Sequence, residues 1–380
     1  MRWRGWGGLL RALVAGLVLL AGLALPMAAS QPAHAVPPGT ATFAYVVNND
    51  DDTVSVIDTS DSTVVATINV GGGPVWAAVS PDGTRVYVTN QPDGTVSVID
   101  TSTNTVVDTV TVGTAPDGVV VTPDGAFVYV ANFGDGTVSV IDTSTNTVVD
   151  TVTVGTQPVG VAVTPDGAFV YVANSGDGTV SVIDTSTNTV VDTVTVGTAP
   201  LRVAVTPDGA FVYVTNLTDG TVSVIDTSTN IVVDTVTVGT LPRGVAVTPD
   251  GAFVYVANSG DDTVSVIDTS DNTVVATINV GTSPHGVAVT PDGDFVYVTN
   301  EGDATVSVIE TSTNTVVDTV DVGEGPIGVA IAVVPQQPKP KPPHHDRPDH
   351  GKPGKPDHGK PDHGKPGHDR PNHGHRPGSR

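Results

Sequence analysis

From residue 41 to residue 334 the chain alternates branched apolar residues with small polar ones, as in Thr-Val-Ser-Val and Asp-Thr-Val-Thr-Val. A period of two places the branched residues on one face of a sheet and the polar ones on the other, so the pattern predicts strands. The pattern also recurs. Val-Ser-Val-Ile begins at 54, 96, 138, 180, 222, 264 and 306, a strict spacing of 42 residues. Pro-Asp-Gly begins at 81, 123, 165, 207, 249 and 291, and its seventh position, 333, holds Val-Val-Pro. Each unit predicts four strands, legible in residues 159–196: strand A at Gly160–Thr164, strand B at Phe169–Ala173, strand C at Thr179–Asp184 and strand D at Thr189–Val196. Proline at the first corner and glycine after it suit the tight turn between A and B.

A four-stranded unit of this length is a propeller blade, with a solenoid as the competing architecture. The two ends decide between them. The chain opens with strands B, C and D (Phe43–Val70) and closes with a lone strand A (Gly328–Val334), so pairing the termini completes a blade and hides the sheet edges. The prediction is an all-β, seven-bladed β-propeller of four antiparallel strands per blade, spanning 41–334.

The segments Tyr87–Asn90, Tyr213–Asn216 and Tyr297–Asn300 read Tyr-Val-Thr-Asn, and those beginning at Tyr129, Tyr171 and Tyr255 read Tyr-Val-Ala-Asn. With the 42-residue spacing, the body resembles the YVTN-family β-propeller repeat proteins, which are typically exported or surface-layer proteins. The resemblance implies the seven-bladed ring and no single activity, because propellers host many functions.

The segments outside the ring have their own chemistry. Arg2, Arg4 and Arg11 precede the apolar run Ala12–Leu25, and Ala33 and Ala35 supply the small residues of a cleavage site. Residues 1–35 therefore read as a secretory signal peptide, too short in its apolar run for a membrane span, with 36–40 a short linker. No further apolar span follows, so the mature chain is expected outside the cytoplasm as a secreted or cell-surface protein. From Pro335 the composition turns to Pro, His, Lys, Gly and Asp, which cannot bury a core; 335–380 is expected to be a disordered tail. Its histidines (His344, His345, His350, His358, His363, His368, His373 and His375) suit a divalent transition metal. Adhesion to anionic envelope polymers and a plain spacer compete with that reading.

Charge and composition then exclude function classes. Residues 36–334 contain three arginines and no lysine against 35 acidic residues, a net charge of −32, which repels nucleic acid. There is no cysteine, so no thiolate ligand or thiol nucleophile. Asp100, Asp142, Asp184, Asp226 and Asp268 hold one turn position in successive units and are read as structural, accepting hydrogen bonds from Thr and Asn of their own turns. Gly134-Asp135-Gly136 and its counterparts lack the ligand spacing of a calcium loop. Neither a Ser-His-acid set nor a phosphate-cradling loop occurs, and no cofactor is required.

Near-identical copies make their differences informative. Residues 121–162 and 163–204 differ at four positions, Phe133/Ser175, Gln157/Ala199, Val159/Leu201 and Gly160/Arg202. All fall in the B–C loop or the passage from D into the next strand A, two connections that share one face of an up-and-down blade. With strand A innermost, Trp76, Asp117, Arg202, Arg243 and His285 ring the channel mouth, and the cations occupy three consecutive blades. Together with Gln157 they form a candidate pocket for an anionic or carbohydrate-like group. Gln91, Phe133, Leu217 and Glu301 form an outer ring on the same face. The favoured function is an exported binding or cell-surface scaffold that recognises a cell-envelope polymer, glycan or protein partner there. A channel-mouth enzyme of lactonase or hydrolase type and a purely structural surface-layer repeat are the alternatives.

Overall fold

The computed structural model describes residues 39–336, which form seven four-stranded antiparallel sheets arranged as the blades of a propeller. The expected signal peptide (1–35) and all of the expected tail except Pro335 and Gln336 lie outside the described residues. Blade 1 closes the ring: β28 (Pro326–Pro335) pairs with β1 (Thr40–Asn48), followed by β2 (Thr53–Asp58) and β3 (Thr63–Asn69). Blades 2 to 7 follow in chain order, each a plain A-B-C-D meander. Blade 4 is typical, with β12 (Pro158–Val163), β13 (Phe169–Asn174), β14 (Thr179–Asp184) and β15 (Thr189–Thr195).

The sequence analysis starts strand A two residues late. Pro158 already pairs with Asn174, and a register shift separates that pair from Val161–Val172. The irregularity lets a proline, which has no N–H to donate, open the strand beside the channel. A second bulge, between Val182 and Ile183, interrupts the C–D pairing.

The core lies between blades. One cluster joins Tyr171, Ala173, Val180, Val182 and Val194 of blade 4 to Val212, Val214 and Ile225 of blade 5, and six equivalent clusters complete the circuit. The seam at the termini is no exception, since Ala44, Val46 and Ile57 of blade 1 pack on Tyr297, Val306 and Val308 of blade 7. Each valine buried this way contributes about 1.5–3 kcal/mol, so the ring is held by a repeated apolar contact.

The strands A form the inner ring, each beside the strand A of the next blade. They approach so closely that a Cβ at Gly118, Gly160, Gly244, Gly286 or Gly328 would run into a backbone carbonyl of the neighbouring blade. The strands D face outward, where Val149, Val191 and Val233 are each 53% exposed.

Candidate functional site

The face predicted to vary is assembled by a lattice that recurs from blade to blade, except that Asn48 and Asn90 lack the bond accepted from a glycine amide. In blade 4 the Ser175 amide donates to the Gln157 carbonyl (3.0 Å), tying the B–C loop to the D–A loop. The Asn174 side chain donates to Thr179 and Ser181 of strand C (3.1 and 2.9 Å) and accepts from the Gly155 amide (3.1 Å). Asp177 accepts the Thr156 amide (2.6 Å), and Asp135 accepts that of Thr114 (2.6 Å). The Gly-Asp-Gly carboxylates thus brace loops, and among the described residues no group of His, Asp or Glu is placed to hold a metal.

On this lattice sits a cluster without a repeat. Arg202, 4% exposed, donates through Nη1 to Asp117 (2.6 Å), and its guanidinium carbon stands 3.9 Å from the centre of the Trp76 ring. Three blades thereby meet over the channel. The stacking is worth up to about 2 kcal/mol when water is excluded. Arg243 donates through Nε to Ser259 (3.0 Å) and through Nη1 to His285 Nε2 (2.8 Å). Burial, and then the charges of Arg243 and Arg202, push the His285 pKa well below its usual 6.5. Burial also lowers the Arg243 pKa against the pull of Glu301.

Because arginine can only donate, His285 Nε2 must accept, and the imidazole is neutral with its proton on Nδ1. That Nδ1 and the Nε of Arg202 are buried without a hydrogen-bond partner in the protein. Such orphan donors cost about 1–3 kcal/mol each.

The expected cationic cluster is therefore altered. Arg202 is neutralised by Asp117 and His285 is uncharged, which leaves Arg243 as its one cation without an ion pair among the described residues. Gln157 does not join. It sits exposed in the left-handed turn before Pro158 (φ 53°), and no side-chain hydrogen bond links it to the cluster. Gln91, Phe133 and Leu217 are partly buried and Glu301 is exposed on the B–C loops around it.

The sequence reasoning missed Thr89, Thr215 and Ser259. Thr215 accepts the Arg202 amide (3.0 Å) and donates to the Arg243 carbonyl (2.8 Å), bridging two strands A. Thr89 does the same between Trp76 (3.1 Å) and Asp117 (2.6 Å). The signal was present but not specific: the blades of Trp76 and Arg202 both read Tyr-Val-Thr-Asn, and so does blade 7, where Thr299 makes the same bridge between Gly286 (2.7 Å) and Ile327 (3.0 Å) although strand A keeps its glycine.

Two family models match parts of the chain. One, described as "Lactonase, 7-bladed beta-propeller", matches residues 232–321. The other, the cytochrome D1 heme domain, matches 39–161 and 134–243. Its two windows overlap, as expected when one kind of blade is matched in two registers. No curated protein matches the chain. Among solved structures, the Kuenenia stuttgartiensis hydrazine synthase is similar at 25% identity and a TM-score of 0.63, covering 70% of this chain and 96% of that one. A protein of unknown function from Desulfotomaculum acetoxidans is 22% identical, with a TM-score of 0.67 and coverages of 76% and 98%. A candidate 6-phosphogluconolactonase from Bacteroides uniformis is 17% identical, with a TM-score of 0.67 and coverages of 77% and 100%. What these share with the chain is the ring.

The heme relatives prompt one chemical check. An axial imidazole could come only from His285 among the described residues, and the tyrosines, the other ligand type present there, are buried between blades with hydroxyls turned to neighbours, as Tyr171 is to Asn230 (2.8 Å). The His285 Nε2 is engaged by Arg243 and its Nδ1 is buried without a partner among the described residues. The residues present do not fit a heme.

Proposed function

We propose that this seven-bladed β-propeller is an exported binding scaffold that recognises a cell-envelope polymer, glycan or protein on the face of the B–C and D–A loops. The observation that carries the reading is broken symmetry. In a ring whose strands and turns repeat almost unchanged, Trp76, Asp117, Arg202, Arg243 and His285 have no counterparts, and all stand at the inner end of that face. Asp117, Arg202 and His285 are buried there although blades without them close equally well. The leader and the basic tail support export and a tether at the cell surface, with metal binding by the tail histidines as a subsidiary reading.

The test is calorimetric titration of the intact chain with envelope glycans, phosphorylated polymers and lactones. Saturable binding lost on Arg243→Ala supports the reading. Binding that persists unchanged in that variant removes the site.

A second reading has one observation in its favour. The lactonase match at 232–321 covers Arg243, Ser259 and His285, the part of the cluster in which a neutral imidazole lies against a cation. Lactone turnover that disappears on His285→Ala would favour this enzyme reading over the scaffold.

A further inference from the structure

Two buried donors in the cluster have no acceptor among the described residues. Arg202 Nε and His285 Nδ1 are buried and unpartnered, on side chains 4% and 6% exposed. Arg243 spends Nε on Ser259 and Nη1 on His285, which leaves its Nη2 outside these bonds among the described residues. The residue is partly exposed on the face. The Arg202 and Arg243 charges act on one another and both act on His285, which places the three groups in one electrostatic neighbourhood.

Donors without acceptors call for an anion, and the charges specify which kind. Asp117 cancels Arg202 and the imidazole is neutral, so one cation remains. Glu301, exposed on the blade 7 B–C loop, tempers Arg243 without forming an ion pair with it. A single positive charge with two neutral-direction donors suits a monoanion with two acceptor oxygens, and a planar guanidinium edge matches a carboxylate. A phosphate dianion would leave one negative charge unbalanced in a body that is already strongly acidic.

We infer that the mouth of the channel is a carboxylate subsite, with Arg243 as its charged anchor and His285 Nδ1–H and Arg202 Nε–H as its inner donors. The inference rests on the binding reading above and names its ligand class: a free small carboxylate, or the uronate of an envelope glycan. Asp117 is then a positioning residue that holds Arg202 with Nε turned away from the ion pair. Trp76, stacked on the same guanidinium, offers the remaining ring surface to a sugar.

The experiment is calorimetry on the intact chain with sodium glucuronate, sodium acetate, polygalacturonate, glucose and inorganic phosphate at constant ionic strength. Glucuronate and acetate are expected to bind saturably, glucose not to bind, and phosphate to bind about tenfold more weakly or less. Glucuronate tighter than acetate points to a sugar source; equal affinity points to a free carboxylate. Arg243→Gln should weaken carboxylate binding by roughly tenfold or more. Arg243→Lys, which keeps the charge and loses the fork, should fall between, and thermal melting confirms that both variants fold. Glucose binding as well as glucuronate, phosphate binding better, or an unchanged Arg243→Gln would overturn the subsite. If envelope polymers bind while no carboxylate does, the subsite falls and the scaffold reading stands; if nothing binds, both fall.

Discussion

The two ends of the ring use charge in opposite ways. At the end of the Pro-Asp-Gly and C–D turns the turn carboxylates repeat and are answered locally: Asp166 accepts Thr164 and the Ala168 amide (2.6 and 3.0 Å), and Asp184 accepts the amide and hydroxyl of Ser186 (2.8 and 2.6 Å). The tyrosines there clamp one blade to the next, as Tyr171 does on Asn230 (2.8 Å). At the other end the loop carboxylates such as Asp135 and Asp177 also repeat, but the charges of Asp117, Arg202 and Arg243 are singular, and Arg202 reaches across blades to Asp117. The two ion pairs show the contrast: Arg85–Asp100 (2.7 Å) has side chains 38% and 20% exposed, while Arg202–Asp117 (2.6 Å) has side chains 5% and 12% exposed. A charge that recurs seven times belongs to the blade, whereas a buried charge that occurs once needs another reason to be there.

That contrast is broken most severely by alkali. Burial raises Tyr129, Tyr171, Tyr213, Tyr255 and Tyr297 to about 12 from an ordinary 10. A phenol whose folded pKa is raised contributes stability that is complete below pH 10 and is lost as the pH climbs through about 12. Because the five titrate together, the turn end should unfold the whole ring in that window, with phenolate absorbance and loss of circular dichroism rising in step. Absorbance changing at pH 10 with the fold intact would contradict the clamps.

Breaking one side of the buried pair comes next. Asp117→Ala or Arg202→Ala leaves a charge unpaired at the channel and should cost about 3–5 kcal/mol in urea denaturation. Replacing both, as Asp117→Leu with Arg202→Met, should cost less than either alone, and a merely additive result would deny the coupling. Tyr171→Phe removes one clamp of a repeated set and should cost about 1 kcal/mol with ligand binding untouched. The smallest effect belongs to Arg85→Ala, at about 0.2–1 kcal/mol, because water screens that pair.

The ring was legible in the chain because repetition averages out local ambiguity. The spacing, the closing strand and the division between varied and constant faces all follow from the 42-residue register. Strand A was placed late because Pro158 reads as loop, and only the register shift against Asn174 explains a proline in the ladder. The turn aspartates were recognised as structural; serine two residues on answers them first, and the expected threonines contribute through their amides, as Thr229 does to Asp226 (3.2 Å). The candidate residues were found by their asymmetry, yet their contacts were not. Asp117 and Arg202 stand 85 residues apart, and no local pattern says that they meet. Gln157 shows the converse, since a varied position in the same loop is turned away by a left-handed backbone.

The most direct test of the central claim is to restore the ring's symmetry. Trp76→Gly, Asp117→Val, Arg202→Gly, Arg243→Val and His285→Val together give each position the residue most common there in the other blades. Titrated with envelope glycans beside the native chain, this variant should melt cooperatively and bind none of the glycans that the native chain binds. A variant that folds and binds as the native chain does would show that the singular residues are not the recognition site.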